Sequence, residues 1–276
     1  MQLPLVSVVI LSFNRRDDLQ VTLQKVYEMD YQNFEVIVVD NNSVDGSCQM
    51  VSNLFPSVIL IENKDNKGFS KANNQAVEIA KGEYILFLNP DTVMPEDFFV
   101  KTLAYMDAHP QAGALGPRLI DGKGVFAPDS KKSFPSLSVA IFKTTGLNKI
   151  FSRSAYINKY YAVNIQEYQT ASVDVLSGCC MLLRASLLKG IGVAFDEDYF
   201  MYGEDIDLSY RIKKAGFENY YLADTSIIHF KGESTKKGSL NYIKVFYNAM
   251  IIFTNKHITG TKGKVLKFLL QVAISL

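Results

Sequence analysis

The sequence predicts an α/β fold: a mostly parallel central sheet flanked by helices, followed by a helical C-terminal extension. Three observations predict it. Short β-branched, apolar runs alternate with stretches of helical spacing through the first third of the chain. The runs are apolar at nearly every position, as strands covered on both faces require. Most of them break off into polar clusters of Asn, Asp and Ser, the pattern expected where strand ends border a ligand crevice.

Taken in order, Val6–Leu11 is the first strand, followed by polar Asn14–Asp18. In Leu19–Met29, the residues Leu19, Leu23, Val26 and Tyr27 fall on one helix face. Phe34–Val39 is a second strand and runs into Asp40-Asn41-Asn42-Ser43-Val44-Asp45-Gly46. Ser47–Phe55 reads as a helix and Val58–Glu62 as a third strand. A helix is expected from about Ser70 to Ala80, beyond the loop that carries Gly68. Tyr84–Leu88 is a fourth strand, cut off by Asn89-Pro90-Asp91, with a helix near Glu96–Ala104. The clusters Ser12–Asn14, Asp40–Ser43 and Asn89–Asp91 therefore share one sheet edge.

The second half is less regular. Pro117–Ala171 has weak periodicity and reads as a long, partly helical excursion of the kind that shapes a substrate site. Asp174–Leu183 is strand-like through Ser177-Gly178. Glu204–Ala215 has helical spacing and a stop at Gly216. Its acids Glu204, Asp205 and Asp207 and its bases Arg211, Lys213 and Lys214 sit at the ends the helix dipole favours. Tyr220–Leu222 and Ser226–Phe230 are short strands.

With 276 residues, 48% of them hydrophobic, the chain can bury a large core without staples. Cys48, Cys179 and Cys180 make no disulfide framework and suit a reducing, cytoplasmic compartment. The net charge of +1 hides an asymmetry: the segment from Lys231 onward carries +7 and the rest −6. The expected division is therefore a domain at 1–235 and a basic amphipathic extension at 236–276. Tyr242, Phe246, Tyr247 and Ile251 fall at helical spacing there, and Val265–Leu276 is mostly apolar. The extension reads either as a peripheral contact with an anionic membrane face or as a solvated helix packed on the domain. No signal peptide or membrane-spanning run is expected, and nothing calls for a nucleic-acid partner.

Four places carry candidate chemistry. Asp91 follows a buried strand, where a carboxylate suits a Mg²⁺ or Mn²⁺ ion shared with phosphate oxygens; alone, it reads first as a turn residue capping the next helix. Glu204 and Asp205 lie behind Gly203 among aromatics, a sheltered setting for a general base; alone, they read as dipole complements. His229 ends an apolar strand, as a core histidine or an imidazole ligand. Asp40 ends another strand, where it could accept from a base N–H or a ribose hydroxyl. The loop at Asn66-Lys67-Gly68-Phe69 lacks both G-x-G-x-x-G and G-K-[ST] spacing, and no serine sits in G-x-S-x-G. Hydride transfer, ATP hydrolysis and ester hydrolysis are therefore disfavoured.

The ordered set is more specific than its parts. Ser7–Asn14, Val38–Ser43, Asn66–Phe69 with Asn73-Asn74, and Leu88–Asp91 come first. Ser177–Met181, Phe195–Glu197, Met201–Leu208 and Ile228-His229 complete it. From about Leu5 to Thr235 this resembles family 2 of the glycosyltransferases, in its bacterial rhamnosyltransferase-like branch. The resemblance implies a GT-A fold, Rossmann-like in its sheet, and inversion at the anomeric carbon. It implies a divalent metal (Mg²⁺ or Mn²⁺) and a nucleotide-diphosphate sugar donor, with dTDP-rhamnose favoured and UDP-sugars open. It implies a glycan or polyprenyl-linked acceptor of surface polysaccharide synthesis.

Residue by residue, the resemblance assigns nucleotide-sugar binding to Ser12, Phe13, Asn14, Asp40, Asn42, Asn66, Gly68, Asn73, Asn89, Pro90 and Asp91. Asp205 matches the base, with Glu204 orienting the acceptor or the base. The family's acid-any-acid motif stands here as Asn89-Pro90-Asp91. Its first acid is replaced, so the metal falls to Asp91 with His229. Two other readings are a non-catalytic sugar-nucleotide-binding module and a sugar-1-phosphate nucleotidyltransferase. The latter needs a Gly-rich loop after the first strand, where Ser12–Arg16 has no glycine.

Overall fold

The computed structural model describes residues 3–134, 161–230 and 240–275. The first half is built as the sequence predicts. Strands β1 (Val6–Ser12), β2 (Phe34–Asp40), β3 (Ile59–Glu62) and β4 (Tyr84–Leu88) alternate with α1 (Arg16–Tyr27), α2 (Ser47–Leu54) and α3 (Phe69–Ile79). The four strands are parallel in the order β3-β2-β1-β4. Alternation along each strand divides the core. Val8, Ile10, Val36, Val38, Leu86 and Leu88 face one layer, and Val9, Ile37, Val39, Ile85 and Phe87 face the other, as the two-residue strand period dictates. Helix α1 begins at Arg16, earlier than its apolar spacing suggests, because Asp17 and Asp18 complement its first turn and Arg15 pairs with Asp18.

β5 (Thr92–Val93) and α4 (Phe98–Ala108) lead into β6 (Ala112–Ile120). This last strand corrects the sequence reading, which left it unassigned and opened the excursion within it, at Pro117. Gly113, Gly116 and Pro117 look like breakers, yet the glycines are here for close packing. A methyl group at Gly113 would meet the Ile212 and Leu187 side chains at 2.7 and 2.9 Å, and one at Gly116 the Leu176 side chain at 2.9 Å. Beyond β6, an Asx turn at Asp121 leads to β7 (Lys131–Lys132). The rest of the excursion, 135–160, lies outside the described residues.

β8 (Ala171–Val173), β9 (Val175–Leu176) and β10 (Cys180–Arg184) replace the single strand expected at Asp174–Leu183. Among the described residues β9 pairs with β7 alone, while β10 enters the main sheet antiparallel to β4 and β6. Helix α5 (Glu204–Lys214) precedes β11 (Glu218–His229). β11 is one strand where two short ones are expected. Its register slips between Leu222 and Ser226, a bulge that interrupts the apolar pattern without ending the pairing. The full order is β3-β2-β1-β4-β10-β6-β11-β5, with β8 also on β11.

The helices α6 (Leu240–His257) and α7 (Gly260–Ser275) pack back on α5. Ala249, Met250, Phe253, Leu266 and Leu270 are buried with Tyr199 and Ile206. Phe246, Tyr247 and Ile251 of the expected apolar face join this cluster; the side chain of Tyr242 lies outside the described set. Asp207 is fully buried, accepts from Arg211 Nε at 2.6 Å and meets His257 Nε2 at 2.6 Å. The third carboxylate of the α5 cluster is thus a structural clamp between α5 and α6.

Candidate active site

Three polar clusters converge at the carboxyl edge of β1, β2 and β4. Ser12 pairs in register with Asp40, so their side chains share one face of the sheet end. Both are buried, and Ser12 Oγ and Asp40 Oδ1 have no hydrogen-bond partner. Asp40 Oδ2 accepts from the Ser43 amide at 2.7 Å. Asn14, at φ +53°, accepts from the Val44 amide through Oδ1 while its own amide donates to Ser43 Oγ. The β1 and β2 loops are thereby pinned together. Phe13 and Asn42 are exposed on their rim, Asn42 at φ +71°. Beside them Cys48 stays a thiol: burial, then Asp40 and Glu62, push its pKa up to about 12.

Asn41 is a strut that the sequence reading left out of the site. Its Nδ2 donates to Asn66 Oδ1 and to the Gly68 carbonyl, and its Oδ1 accepts from the Lys67 amide and from Asn63. Gly68 is explained by packing rather than by room for a ligand. It sits at φ +79°, and a methyl group there would meet the Phe200 ring and carbonyl at 2.6 and 2.7 Å. Asn73 donates back to the Phe69 carbonyl within α3. Its neighbour Asn74 exchanges hydrogen bonds with the backbone of Phe195, tying α3 to the segment that leads to α5.

Asn89, Pro90 and Asp91 form a turn held from three sides. The Asn89 amide donates to the Cys179 carbonyl at 2.8 Å, Thr22 of α1 donates to the Pro90 carbonyl at 2.6 Å, and the Phe230 amide donates to the Asp91 carbonyl at 3.0 Å. The last contact follows from the β5–β11 pairing, which sets His229 opposite Thr92. It brings His229 Nε2 to 3.2 Å from Asp91 Oδ1. Apart from this contact, Asp91 Oδ1 has no hydrogen-bond partner among the described residues. Burial disfavours a charged His229, but Cys179 and Asp91 outweigh it and raise its pKa to about 10. His229 Nε2 and Asp91 Oδ1, 3.2 Å apart, would suit a divalent cation that displaces the imidazole proton, with phosphate oxygens completing its shell. Among the described residues no group of three or more His, Cys, Asp and Glu could hold an ion alone.

The second half of the site stands at the start of α5. Gly203 turns the chain into the helix at φ +83°, packed against Ala249 and Tyr199. Glu204 is buried and its Oε2 has no partner. Burial first, then the charge of Asp205, hold its pKa well above the usual carboxylate range, so near neutrality Glu204 is a donor, not a base. Asp205 accepts from the Ile206 amide through Oδ1 and from Lys132 Nζ through Oδ2, both at 2.8 Å. Two adjacent carboxyl groups in unlike settings is the arrangement that separates base from acid. Lys132 escapes the sequence reading because its partner lies 73 positions away.

The turn Ser177–Cys180 joins the two halves. A methyl group at Gly178 would stand 3.3 Å from Asp205 Cβ. One residue on, Cys179 touches His229 electrostatically and receives the Asn89 amide. His229, which faces Asp91, and Asp205 therefore border a single two-residue segment, while Asp40 and Ser12 lie on neighbouring strands. Ser177-Gly178 was legible as part of a motif, but its role as the spacer between the two halves was not.

Comparison with known proteins follows the same lines. The model of Glycosyl transferase family 2 matches residues 7–192. The chain is 29% identical over 252 residues to N-acetylglucosaminyl-diphospho-decaprenol L-rhamnosyltransferase of Mycobacterium tuberculosis, covering 87% of this chain and 81% of that protein. It is 29% identical to rhamnosyltransferase WbbL of Escherichia coli K12, with 82% and 83% covered. Among solved structures, S. aureus TarS 1-349 in complex with UDP-GlcNAc superposes with a TM-score of 0.63 at 21% identity, covering 98% of this chain and 73% of that one. The mannosyltransferase PcManGT of Pyrobaculum calidifontis, in complex with GDP-Man and Mn²⁺, gives 0.62 at 21% identity, with 98% and 69% covered.

Proposed function

The chain belongs to glycosyl transferase family 2, and on that premise we propose that it is an inverting, metal-dependent transferase of GT-A fold. It moves a sugar, rhamnose-like by preference, from a dTDP- or UDP-linked donor to a hydroxyl of a glycan or polyprenyl-linked acceptor. The process is bacterial surface-polysaccharide synthesis. One observation carries the reading: the Ser177–Cys180 turn has His229, which faces Asp91, against one residue and Asp205 against its neighbour. Leaving-group and acceptor functions then meet across one pocket, as a single in-line displacement needs.

In that displacement Asp205 takes the proton of the acceptor hydroxyl. The oxygen forms its bond to the anomeric carbon as the bond from that carbon to the diphosphate oxygen breaks. The electron pair leaves with the nucleoside diphosphate. Attack from the face opposite the leaving group inverts the anomeric centre, and no covalent enzyme intermediate arises. Asp91 and His229 would hold the divalent cation, which when bound supplies Lewis-acid stabilisation of the diphosphate. Ser12, Asn14, Asp40 and Asn42 line the nucleoside side, where Asp40 Oδ1 and Ser12 Oγ are free to bond a base or ribose. Neutral Glu204 donates to the acceptor or to Asp205.

A screen of dTDP- and UDP-sugars for donor hydrolysis, with and without Mn²⁺ or Mg²⁺, tests the function. Turnover of at least one donor, abolished by chelation, is expected. Binding without turnover of any donor would return the chain to a non-catalytic binding module.

We also propose that the chain works in the cytoplasm at the inner face of the plasma membrane through its basic C-terminal helices. Among the described residues no helix is long and apolar enough to cross a membrane. On α7, Val265 and Phe268 are exposed one turn apart beside Lys264 and Lys267, an apolar tip in a basic setting. Removing the whole extension is a poor probe, because Phe253, Leu266 and Leu270 are core residues. Phe268→Glu is expected to weaken co-sedimentation with anionic vesicles while leaving the thermal midpoint in place. Undiminished sedimentation would leave α7 a packing element.

A further inference from the structure

We propose that Lys132 is a positioning residue for the transfer step, aiming the Asp205 carboxylate at the acceptor hydroxyl. The inference rests on the reading of Asp205 as the base. β7 carries two adjacent lysines with opposite fates, as strand alternation requires. Lys131 is buried, its Nζ donates to the Ala162 carbonyl at 3.0 Å, and burial lowers its pKa. Lys132 turns the other way and reaches Asp205 Oδ2 at 2.8 Å, in a pair whose side chains are 12% and 13% exposed. The pair is sheltered enough for its charges to matter more than those of a surface ion pair.

The placement is built in rather than incidental. Lys132 pairs in register with Val175 on β9. Directly after that short strand comes Ser177-Gly178, whose glycine lies against Asp205. One small sheet thus delivers both the ammonium on Oδ2 and the clearance beside Cβ. With Oδ1 turned to the Ile206 amide, the two contacts orient the carboxylate and leave lone pairs for an acceptor hydroxyl. Lys132 also acts on Glu204, opposing the upward push of burial and Asp205. It acts on Tyr161 as well, whose phenol is raised by burial and Asp129 and lowered by Lys132. The cation therefore acts on Asp205 and Glu204 of α5 and on Tyr161.

The test uses the full chain with dTDP-rhamnose and Mn²⁺, following donor consumption across pH. Lys132→Met is expected to lower kcat on the order of 10–10²-fold with donor KM near native, the mark of lost orientation. The alkaline limb of its pH profile should move to higher pH, because Lys132 lowers the pKa of Glu204 and without it Glu204 stays protonated further up the scale. Lys132→Arg should restore most of kcat and the native limb. In the Asp205→Asn background, Lys132→Met should cost nothing further, since the two act as one unit. Should Met prevent folding, Lys132→Gln keeps a donor for Oδ2 without charge, and the displaced limb is then the readout. A native kcat and profile in the Met or Gln variant overturns the proposal, as does an Arg variant no better than Met. If Asp205→Asn itself retains turnover, the assignment of the base fails instead.

Discussion

Asp205→Asn is expected to abolish transfer, on the order of 10²–10⁴-fold in kcat, while binding of the nucleoside diphosphate by calorimetry stays native. The substitution keeps the volume of the side chain and removes the charge, the basic site and one of the two acceptors. The single amide oxygen can serve the Ile206 amide or Lys132 but not both, so a modest drop in the thermal midpoint with the fold intact is expected. Glu204→Gln makes the contrast. Glu204 is held protonated near neutrality by burial and by its charged neighbour, so an amide mimics its working form. Its variant should be the milder of the two at neutral pH and should diverge from the native chain at alkaline pH, where native Glu204 ionises and the amide does not. Near-native turnover of Asp205→Asn would remove Asp205 from the chemistry.

Much of this architecture is legible before any coordinates, for a physical reason. The β1 to β4 half is made of strands covered on both faces, whose unbroken apolar runs are the strongest local signal available. What resists reading is set by contacts distant in sequence. β6 hides behind Gly113, Gly116 and Pro117, because those glycines answer to Ile212, Leu187 and Leu176 rather than to their own neighbours. The site divides the same way. Asp40 and Asp91 announce themselves as carboxylates at strand ends. Lys132 is one of two identical neighbours in a weakly periodic stretch, and only the β7–β9 pairing tells it from Lys131. Asp207 shows the reverse hazard, since it sits in the acidic cluster of α5 yet is used up by Arg211 and His257.

Asp91→Asn and His229→Gln carry the other large expectation, and Mn²⁺ binding tells their meaning apart from a folding defect. Asp91 Oδ1 lies 3.2 Å from His229 Nε2 and favours the charged imidazole, so the raised pKa adds stability near neutrality and either replacement should lower the thermal midpoint somewhat. Turnover should fall on the order of 10²–10³-fold, as when a donor to a developing anion is lost. Titration of Mn²⁺ in the presence of nucleoside diphosphate should lose its heat in both variants. Adding Mn²⁺ with nucleoside diphosphate should stabilise the native chain in proportion to occupancy and do little for either variant. A drop in midpoint with unaltered Mn²⁺ binding would make the pair a structural contact between β5 and β11. Chelator-insensitive turnover in the native chain would show that His229 and Asp91 serve the leaving group without a metal.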